Sequence, residues 1–402
     1  MARLSQTFQD KTNQLPVKIT LLLVSTLTVM AGATIAPSLP AMQAFFAEVP
    51  NADYLVRLAL TLPALLIALG APVVGVAIDR LGRKPLLLAA LALYGIAGSS
   101  GFVLSDLGSI LVGRAFLGVS VAGIMTIATT LVADYYSGSA RAQFLGLQAG
   151  SMALGGVLFL TLGGFLADVN WRLPFLIYLM ALVLIPFTAI FLPEPLQQRP
   201  FTTDNNPTQD ESVDASQIFP THLVVMTYGI ALITQIVFYL IPTQLPFYLQ
   251  QIANAGPSQS GLAIALTTLL SAVSSIGYRQ IKARLGFVAI YGIAFVNLTL
   301  GYGLISWAIS YVGVLVGLVI SGIGVGLLIP NMNLCLTTAT SDAFRGRVLS
   351  GITTCLFLGQ FLSPLLSQPI STAMGLGAAY GLAASLMLFL TGATLVLFWR
   401  WR

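Results

Sequence analysis

Charged side chains inside the long apolar stretches are the residues of this 402-residue sequence that could do chemistry, and they are scarce. Arg114 is the only charge deep within a predicted membrane span, where a guanidinium costs at least about 2.5–3.5 kcal/mol. We therefore expect Arg114 to face the interior of a helix bundle and to have a polar partner. The alternative is that its side chain reaches back toward the outer membrane surface, which lies seven residues away at Leu107.

Carboxylates could carry protons, yet no Asp or Glu lies in the interior of any predicted span. Glu48 and Asp53 come nearest, because both lie close to Arg57 at the predicted outer mouth. Proton movement, if this chain uses it, should therefore run through one of these two acids, beside Arg57 and Arg114.

Neutral hydrogen-bonding side chains follow one stripe of the seventh span. Tyr228, Gln235 and Tyr239 fall at spacings typical of one helical face, and Pro246 continues the same face. Such a stripe suits the wall of a polar cavity, so we expect these residues to line a pathway through the membrane. A contact face between two packed helices would show the same pattern.

The remaining reactive residue types argue against an enzyme. His222, the only histidine, begins a span and is expected at the membrane interface. Cys335 and Cys355 lie within apolar stretches as small hydrophobic residues, so no metal site, disulfide framework or cofactor is expected. A polytopic membrane enzyme is the alternative from another class, but it needs clustered His, Asp or Glu at a membrane face. The chain also lacks the phosphate-binding G-x-x-x-x-G-K-[ST] loop of an ATP-driven pump.

Composition and hydropathy place the whole chain in a membrane. Hydrophobic residues make up 57% and charged residues 8%, against about 25% charged residues in a soluble domain. Apolar runs of about 20 residues recur along the chain, and the basic residues concentrate in loops that place both termini in the cytoplasm. Those scattered basic residues do not form a nucleic-acid surface. We predict a multi-pass, all-α protein of the cell membrane with twelve spans, near 19–45, 55–78, 86–104, 108–131, 143–166, 174–193, 222–249, 260–280, 287–309, 312–336, 346–370 and 376–399.

The two halves of the chain resemble each other at an offset of 204 residues. The matches are Arg80-Leu81-Gly82 with Arg284-Leu285-Gly286, Gly118 with Gly322, Arg141 with Arg345, and Gly155 with Gly359. This repeat predicts two six-helix bundles, 1–193 and 221–402, related by a pseudo-two-fold axis along the membrane normal. The polar stretch 194–220 between them is predicted to be a cytoplasmic linker.

The loop between spans 2 and 3 reads Gly75-Val-Ala-Ile-Asp79-Arg80-Leu-Gly82-Arg83-Lys84. It resembles the loop 2–3 signature G-x-x-x-D-R-x-G-R-R/K of the major facilitator superfamily. Gly75 would let a helix approach closely, and Gly82 would permit the chain reversal. We predict a cytoplasmic latch favouring the outward-facing state, with Asp79 near 344–347 at the start of span 11 and Arg83 paired with Asp134.

Two further motifs are similar to those of this superfamily. Arg114 and Gly118 fit its span 4 motif, whose arginine is associated with proton transfer in the family. Span 5 resembles its antiporter motif, with Phe159-Leu160 replacing the usual central Gly-Pro. The glycines of that helix-contact frame are Gly146, Gly155, Gly163 and Gly164.

The resemblance implies a monomeric secondary transporter that works by alternating access, with spans 1, 4, 7 and 10 lining a central cavity. Its expected partners are a small organic substrate, the lipid bilayer and protons, and its expected activity is proton-coupled efflux. A facilitator or importer of a small polar metabolite with the same fold is the alternative. Because Arg114 is the only fixed charge near the pathway, neutral or weakly anionic lipophilic substrates are expected over permanent cations.

Overall fold

The computed structural model describes residues 12–195 and 221–400, and these residues form twelve helices long and apolar enough to cross a membrane. All twelve predicted spans are confirmed. Most of the predicted linker lies outside the described residues. The helices are α1 (Leu15–Phe45), α2 (Ala52–Leu81), α3 (Arg83–Ser99), α4 (Leu107–Tyr135), α5 (Gly138–Val169), α6 (Leu173–Phe191), α7 (Thr221–Ala253), α8 (Pro257–Lys282), α9 (Phe287–Trp307), α10 (Tyr311–Ala339), α11 (Asp342–Met374) and α12 (Leu376–Arg400).

Two helices are interrupted at corresponding places. In α1 the regular helix ends at Ala33, a short 3-10 turn covers Ala36–Ser38, and the helix resumes at Leu39. In α7 the helix ends at Phe238 and resumes at Leu240. Prolines lie within or shortly after both breaks, and a proline has no N–H with which to continue the helical ladder.

The internal repeat is visible in the packing of the helices. Within the first bundle α1 packs on α5, and α4 packs on α2 and α3; within the second, α7 packs on α11, and α10 packs on α8 and α9. A methyl group on Gly118 would meet the backbone of Pro63, and one on Gly322 would meet the backbone of Thr267. Both pairs are separated by the same 204 residues, so the repeat preserves close helix contacts.

The two bundles meet along two helix pairs, α2 with α11 and α5 with α8. The pseudo-two-fold axis exchanges these pairs, since α5 corresponds to α11 and α2 to α8. We call the side holding the 46–51 and 254–256 connections the outer face, and the opposite side the inner face. That the inner face meets the cytoplasm stays a prediction.

Candidate functional site: the bundle centre and its two faces

Arg114 lies inside the first bundle with 1% of its surface exposed. Its Nε donates to the carbonyl oxygen of Ala59 in α2 at 2.7 Å, and its Nη2 donates to that of Ala31 in α1 at 2.7 Å. The guanidinium carbon lies 5.2 Å from the ring centre of Tyr178 in α6. Arg114 therefore faces the bundle interior with polar partners, as the sequence predicts.

Both carbonyl groups are available because the helices that carry them lack a donor. Ala59 lies four residues before Pro63, so its carbonyl has no N–H partner within α2. Ala31 lies in the last turn before the break in α1, where helix carbonyls lose their usual partners. A buried arginine is thus held by backbone groups, and no described carboxylate forms an ion pair with it. Its Nη1 has no partner among the described residues.

The polar stripe of α7 is divided among different neighbours. Tyr228 donates to the carbonyl oxygen of Val348 in α11 at 2.9 Å. Gln235 borders a small cavity between α7, α10 and α11, together with Phe238 and other apolar side chains. The hydroxyl of Tyr239 lies against Gly32 of α1, next to the Ala31 held by Arg114. Tyr228 and Gln235 therefore lie in the contact between α7 and α11, whereas Tyr239 faces α1.

Arg57 of α2 lies at the centre of a network at the outer face, and only 3% of its surface is exposed. Its Nε donates to Gln244 Oε1 in α7 at 3.0 Å, and its Nη1 donates to Gln43 Oε1 in α1 at 2.9 Å. Its guanidinium stacks on the ring of Phe247 at 3.8 Å.

The same network continues into α11. Gln244 Nε2 donates to Gln368 Oε1 at 3.1 Å, and Gln368 Nε2 donates to the Asp53 carboxylate at 2.9 Å. Asp53 lies one turn before Arg57 in α2, so hydrogen bonds connect two helices of each bundle.

The predicted proton-coupling residues are placed in three different settings. Asp53 and Arg57 share the outer network, while Glu48 is exposed in the connection between α1 and α2. Arg114 has separate partners in α1 and α2. Sequence proximity thus brings Asp53 and Arg57 together but does not bring Arg114 to them.

At the inner face, the predicted pairing of Arg83 with Asp134 is present, with Nε 3.2 Å from the carboxylate. Gly82 has φ of +84°, the left-handed backbone region that favours glycine. Arg80 is exposed at the end of α2. The side chain of Asp79 lies outside the described residues, so its predicted contact with α11 stays a prediction.

A second contact at the inner face involves Glu194, directly after α6. Its two carboxylate oxygens accept the backbone N–H groups of Arg83 at 2.8 Å and Lys84 at 2.7 Å. Lys84 Nζ donates to the Ala189 carbonyl at 2.6 Å. A carboxylate at a helix N-terminus satisfies free N–H groups and favours the helix dipole, so Glu194 caps α3.

The glycines predicted to permit helix contact behave differently from one another. Methyl groups on Gly155 and Gly163 would meet Thr26 and Thr34 in α1, and one on Gly164 would meet the backbone of α8. Gly146 and Gly75 have no described atom within 4 Å of that position. No close helix contact is therefore described at Gly75 or Gly146, and the roles predicted for these two glycines stay predictions.

Several residues of these contacts were not singled out from the sequence: Gln43, Gln244, Gln368, Asp168 and Glu194. The amides stand close to prolines in apolar spans, which is a signal for polar groups at irregular backbone. Asp168 at the outer end of α5 accepts the backbone N–H of Ser258 in α8 at 3.1 Å, which adds a contact between bundles. The position of Asp168 at the end of a span gave no comparable indication of this contact in the sequence.

Residues 21–364, most of the chain, match the Major Facilitator Superfamily. The chain belongs to this family. Its fold agrees with that of a D-xylose–proton symporter, with a TM-score of 0.76, 15% identity, and 92% of this chain and 96% of that one covered. The sequence expectation of a major facilitator fold with two six-helix bundles is confirmed.

Curated relatives include transporters named for export. The bacillibactin exporter of Bacillus subtilis (strain 168) is 26% identical over 353 residues, covering 83% of this chain and 85% of that protein. Multidrug resistance protein 1 of the same organism is 30% identical over 105 residues, which is 26% of this chain and 27% of that protein. The chain is therefore a membrane transporter of this superfamily with exporter-named relatives.

Proposed function

We propose that this protein exports small organic molecules from the cytoplasm by alternating access, driven by protons. The observation that carries the proposal is the outer network of Asp53, Arg57, Gln244 and Gln368, which joins the bundles through hydrogen bonds between side chains. Such contacts can break and re-form without unpacking an apolar core, which is what reversible closure of one face requires. Export is favoured by the exporter-named relative that aligns with most of the chain.

The preferred substrate is neutral or weakly anionic and lipophilic. Arg114 places a positive charge near the break in α1, and among the described residues no carboxylate pairs with it and its Nη1 has no partner. In surroundings of low dielectric, a permanent cation would be repelled there, whereas a carbonyl, phenol or carboxylate could accept from the free Nη1. The hydroxyl of Tyr239 lies against Gly32, next to Ala31, and so offers a hydrogen-bonding group to the same region.

Transport into proteoliposomes with and without an imposed pH gradient tests the proposal. The panel contains a quaternary ammonium dye, a neutral compound of similar size and an aromatic carboxylate. We expect pH-driven movement of the neutral and anionic compounds, at least about ten-fold faster than that of the dye, as a charge penalty above about 1.4 kcal/mol requires. Strong pH-driven export of the dye would refute the charge preference, and gradient-independent exchange would favour a facilitator.

Arg114→Lys and Arg114→Ala separate charge from geometry. Lysine keeps the positive charge but cannot reproduce the planar fork that reaches two carbonyl groups, so discrimination against the dye should survive at a lower rate. Arg114→Ala should lose that discrimination. Arg172→Ala is the matched control, because Arg172 is also stacked on aromatic rings but lies at the outer face. Equal discrimination in all three variants would contradict the assignment.

A further inference from the structure

The outer network contains one titratable link between the bundles. From Arg57 the hydrogen bonds run to Gln244, then to Gln368 and back to Asp53 in the first bundle. Gln244 is fully buried, and its amide also donates to Ser367 at 3.1 Å. Of the side chains in this chain of contacts, only the Asp53 carboxylate changes charge in the ordinary pH range.

Asp53 is accessible from outside while the network is closed. A cleft of about 460 Å³ opens at the outer face, and Gln43, Asn51, Asp53, Phe247 and Gln250 are among its lining residues. Water and protons can therefore reach the carboxylate from that side, while Gln244 lies beneath it with no exposed surface.

We propose that the Asp53 carboxylate is the releasable contact of the outer closure, and that Gln244 is the positioning residue that connects it to Arg57. Protonation removes the charge from the hydrogen bond donated by Gln368, and charge-assisted hydrogen bonds are about twice as strong as neutral ones. It also removes the negative charge one helical turn before the buried guanidinium of Arg57. Both effects weaken the closed outer face, so protonated Asp53 favours the outward-open arrangement.

The charges around Asp53 are few. Its own helix contributes Arg57, and the connection to α1 contributes Glu48. The facing parts of α1, α7 and α11 contribute the amides of Gln43, Gln244 and Gln368, and Tyr380 of α12 lies near Arg57. Asp168, a second described acid that bridges the bundles, binds the start of α8.

The test measures the separation of the outer ends directly. Spin labels are placed at the exposed positions Ala47 of the α1–α2 connection and Gln251 of α7, in full-length protein with Cys335 and Cys355 replaced by alanine, and distances are recorded in lipid nanodiscs. Between about pH 7.5 and about pH 4, a range over which an ordinary aspartate goes from ionised to about half protonated, the population with separated labels should rise at least about five-fold. Asp53→Asn should show that population already at neutral pH, with no further change in acid.

Two variants complete the design. Glu48→Gln, the matched control, removes an exposed acid close to Asp53 and should respond to pH as the unmodified protein does. Gln244→Ala should reduce the pH response, and because it removes a fully buried partner of Arg57 it should also unfold at a lower temperature than Glu48→Gln. If Asp53→Asn retains the full pH response, or stays closed at both pH values, the inference is wrong.

This inference rests on the proposed alternating access, but the two can fail separately. The distance measurement needs no substrate, so an incorrect substrate class leaves it unaffected. Conversely, a pH-independent outer distance in a protein that still exports the neutral compound would overturn the role of Asp53 alone.

Discussion

At the scale of single residues, backbone carbonyl groups that lack a helical N–H donor determine where the buried positive charge can lie. Pro63 removes the donor that Ala59 would use, and the break in α1 does the same for Ala31. Arg114 supplies two N–H groups to these carbonyls from a third helix. An arginine can thus be buried without a described ion-pair partner, because its hydrogen bonds to the Ala59 carbonyl and to the Ala31 carbonyl, which it shares with the Tyr178 hydroxyl, offset part of its desolvation.

Glu194 gives a residue-scale prediction that does not depend on transport. Its carboxylate accepts two N–H groups of the first turn of α3, so Glu194→Ala should destabilise the protein by about 1 kcal/mol, and Glu194→Gln by less. Thermal unfolding in detergent at low and high salt measures the effect, which should shrink as salt screens the charge.

Glu48→Ala is the control for this prediction, because Glu48 is an exposed acid outside any helix N-terminus. It should shift the unfolding temperature little. An unfolding temperature for Glu194→Ala equal to that of Glu48→Ala would show that the cap contributes nothing to stability.

Residue types in the sequence identify some of these contacts but not their partners. The location of Arg114 follows from the cost of a charge in a span, and Arg83 with Asp134 follows from the signature. The partners of Arg57 could not be predicted, because Gln43, Gln244 and Gln368 lie far from it in sequence and an isolated amide in a span has many possible roles. Their proximity to prolines is the only local indication.

At the scale of helices, α5 contains two glycines whose surroundings are opposite. A methyl group on Gly163 would meet the Thr34 carbonyl at the break in α1, while one on Gly146 meets no described atom. Gly163→Ala should therefore cost about 1–3 kcal/mol through forced separation of α1 and α5. Gly146→Ala should stabilise α5 by up to about 1 kcal/mol, because alanine favours the helix.

The two alanine variants are a matched pair on one helix, and thermal unfolding of both in the same detergent is the measurement. Gly163→Ala should also slow transport, since the outer halves of α1 and α5 approach each other there. Equal unfolding temperatures for the two variants would contradict the difference in packing.

Helix positions were predictable because each span must satisfy its backbone internally and be long enough to cross the bilayer. The breaks in α1 and α7 were predictable from their prolines. Which glycines contact a neighbour was not, since glycine spacing gives the face of a helix but not how far along that helix the neighbour reaches. Gly146 and Gly155 fit the motif equally well, yet only Gly155 meets α1.

At the scale of the whole molecule, two contacts between repeat-related pairs of helices join the bundles at the outer face. Asp53 of α2 binds Gln368 of α11, and Asp168 of α5 binds the start of α8. The pseudo-two-fold axis relates these helix pairs, but the contacts differ chemically because the two halves have diverged in sequence. The offset of 204 predicted the two related bundles, whereas the acids at the outer ends of these helices are not repeated and could not be derived from it.

Under the proposed alternating access, opposing contacts at the two faces would set the balance between outward-open and outer-closed arrangements. We predict that Asp79 stabilises the closed inner face by accepting backbone N–H groups at the start of α11, so Asp79→Asn should lower the outward-open population. Asp53→Asn acts at the other face and should raise it. Because the two positions lie at opposite ends of α2, their effects should add, and the double variant should return toward the unmodified distribution.

The spin-label distances between positions 47 and 251 measure all three variants, with transport of the neutral compound as a second readout. If Asp79→Asn has the transport rate and outer distances of the unmodified protein, the inner latch is wrong; if it opens the outer face, the latch acts in the opposite sense.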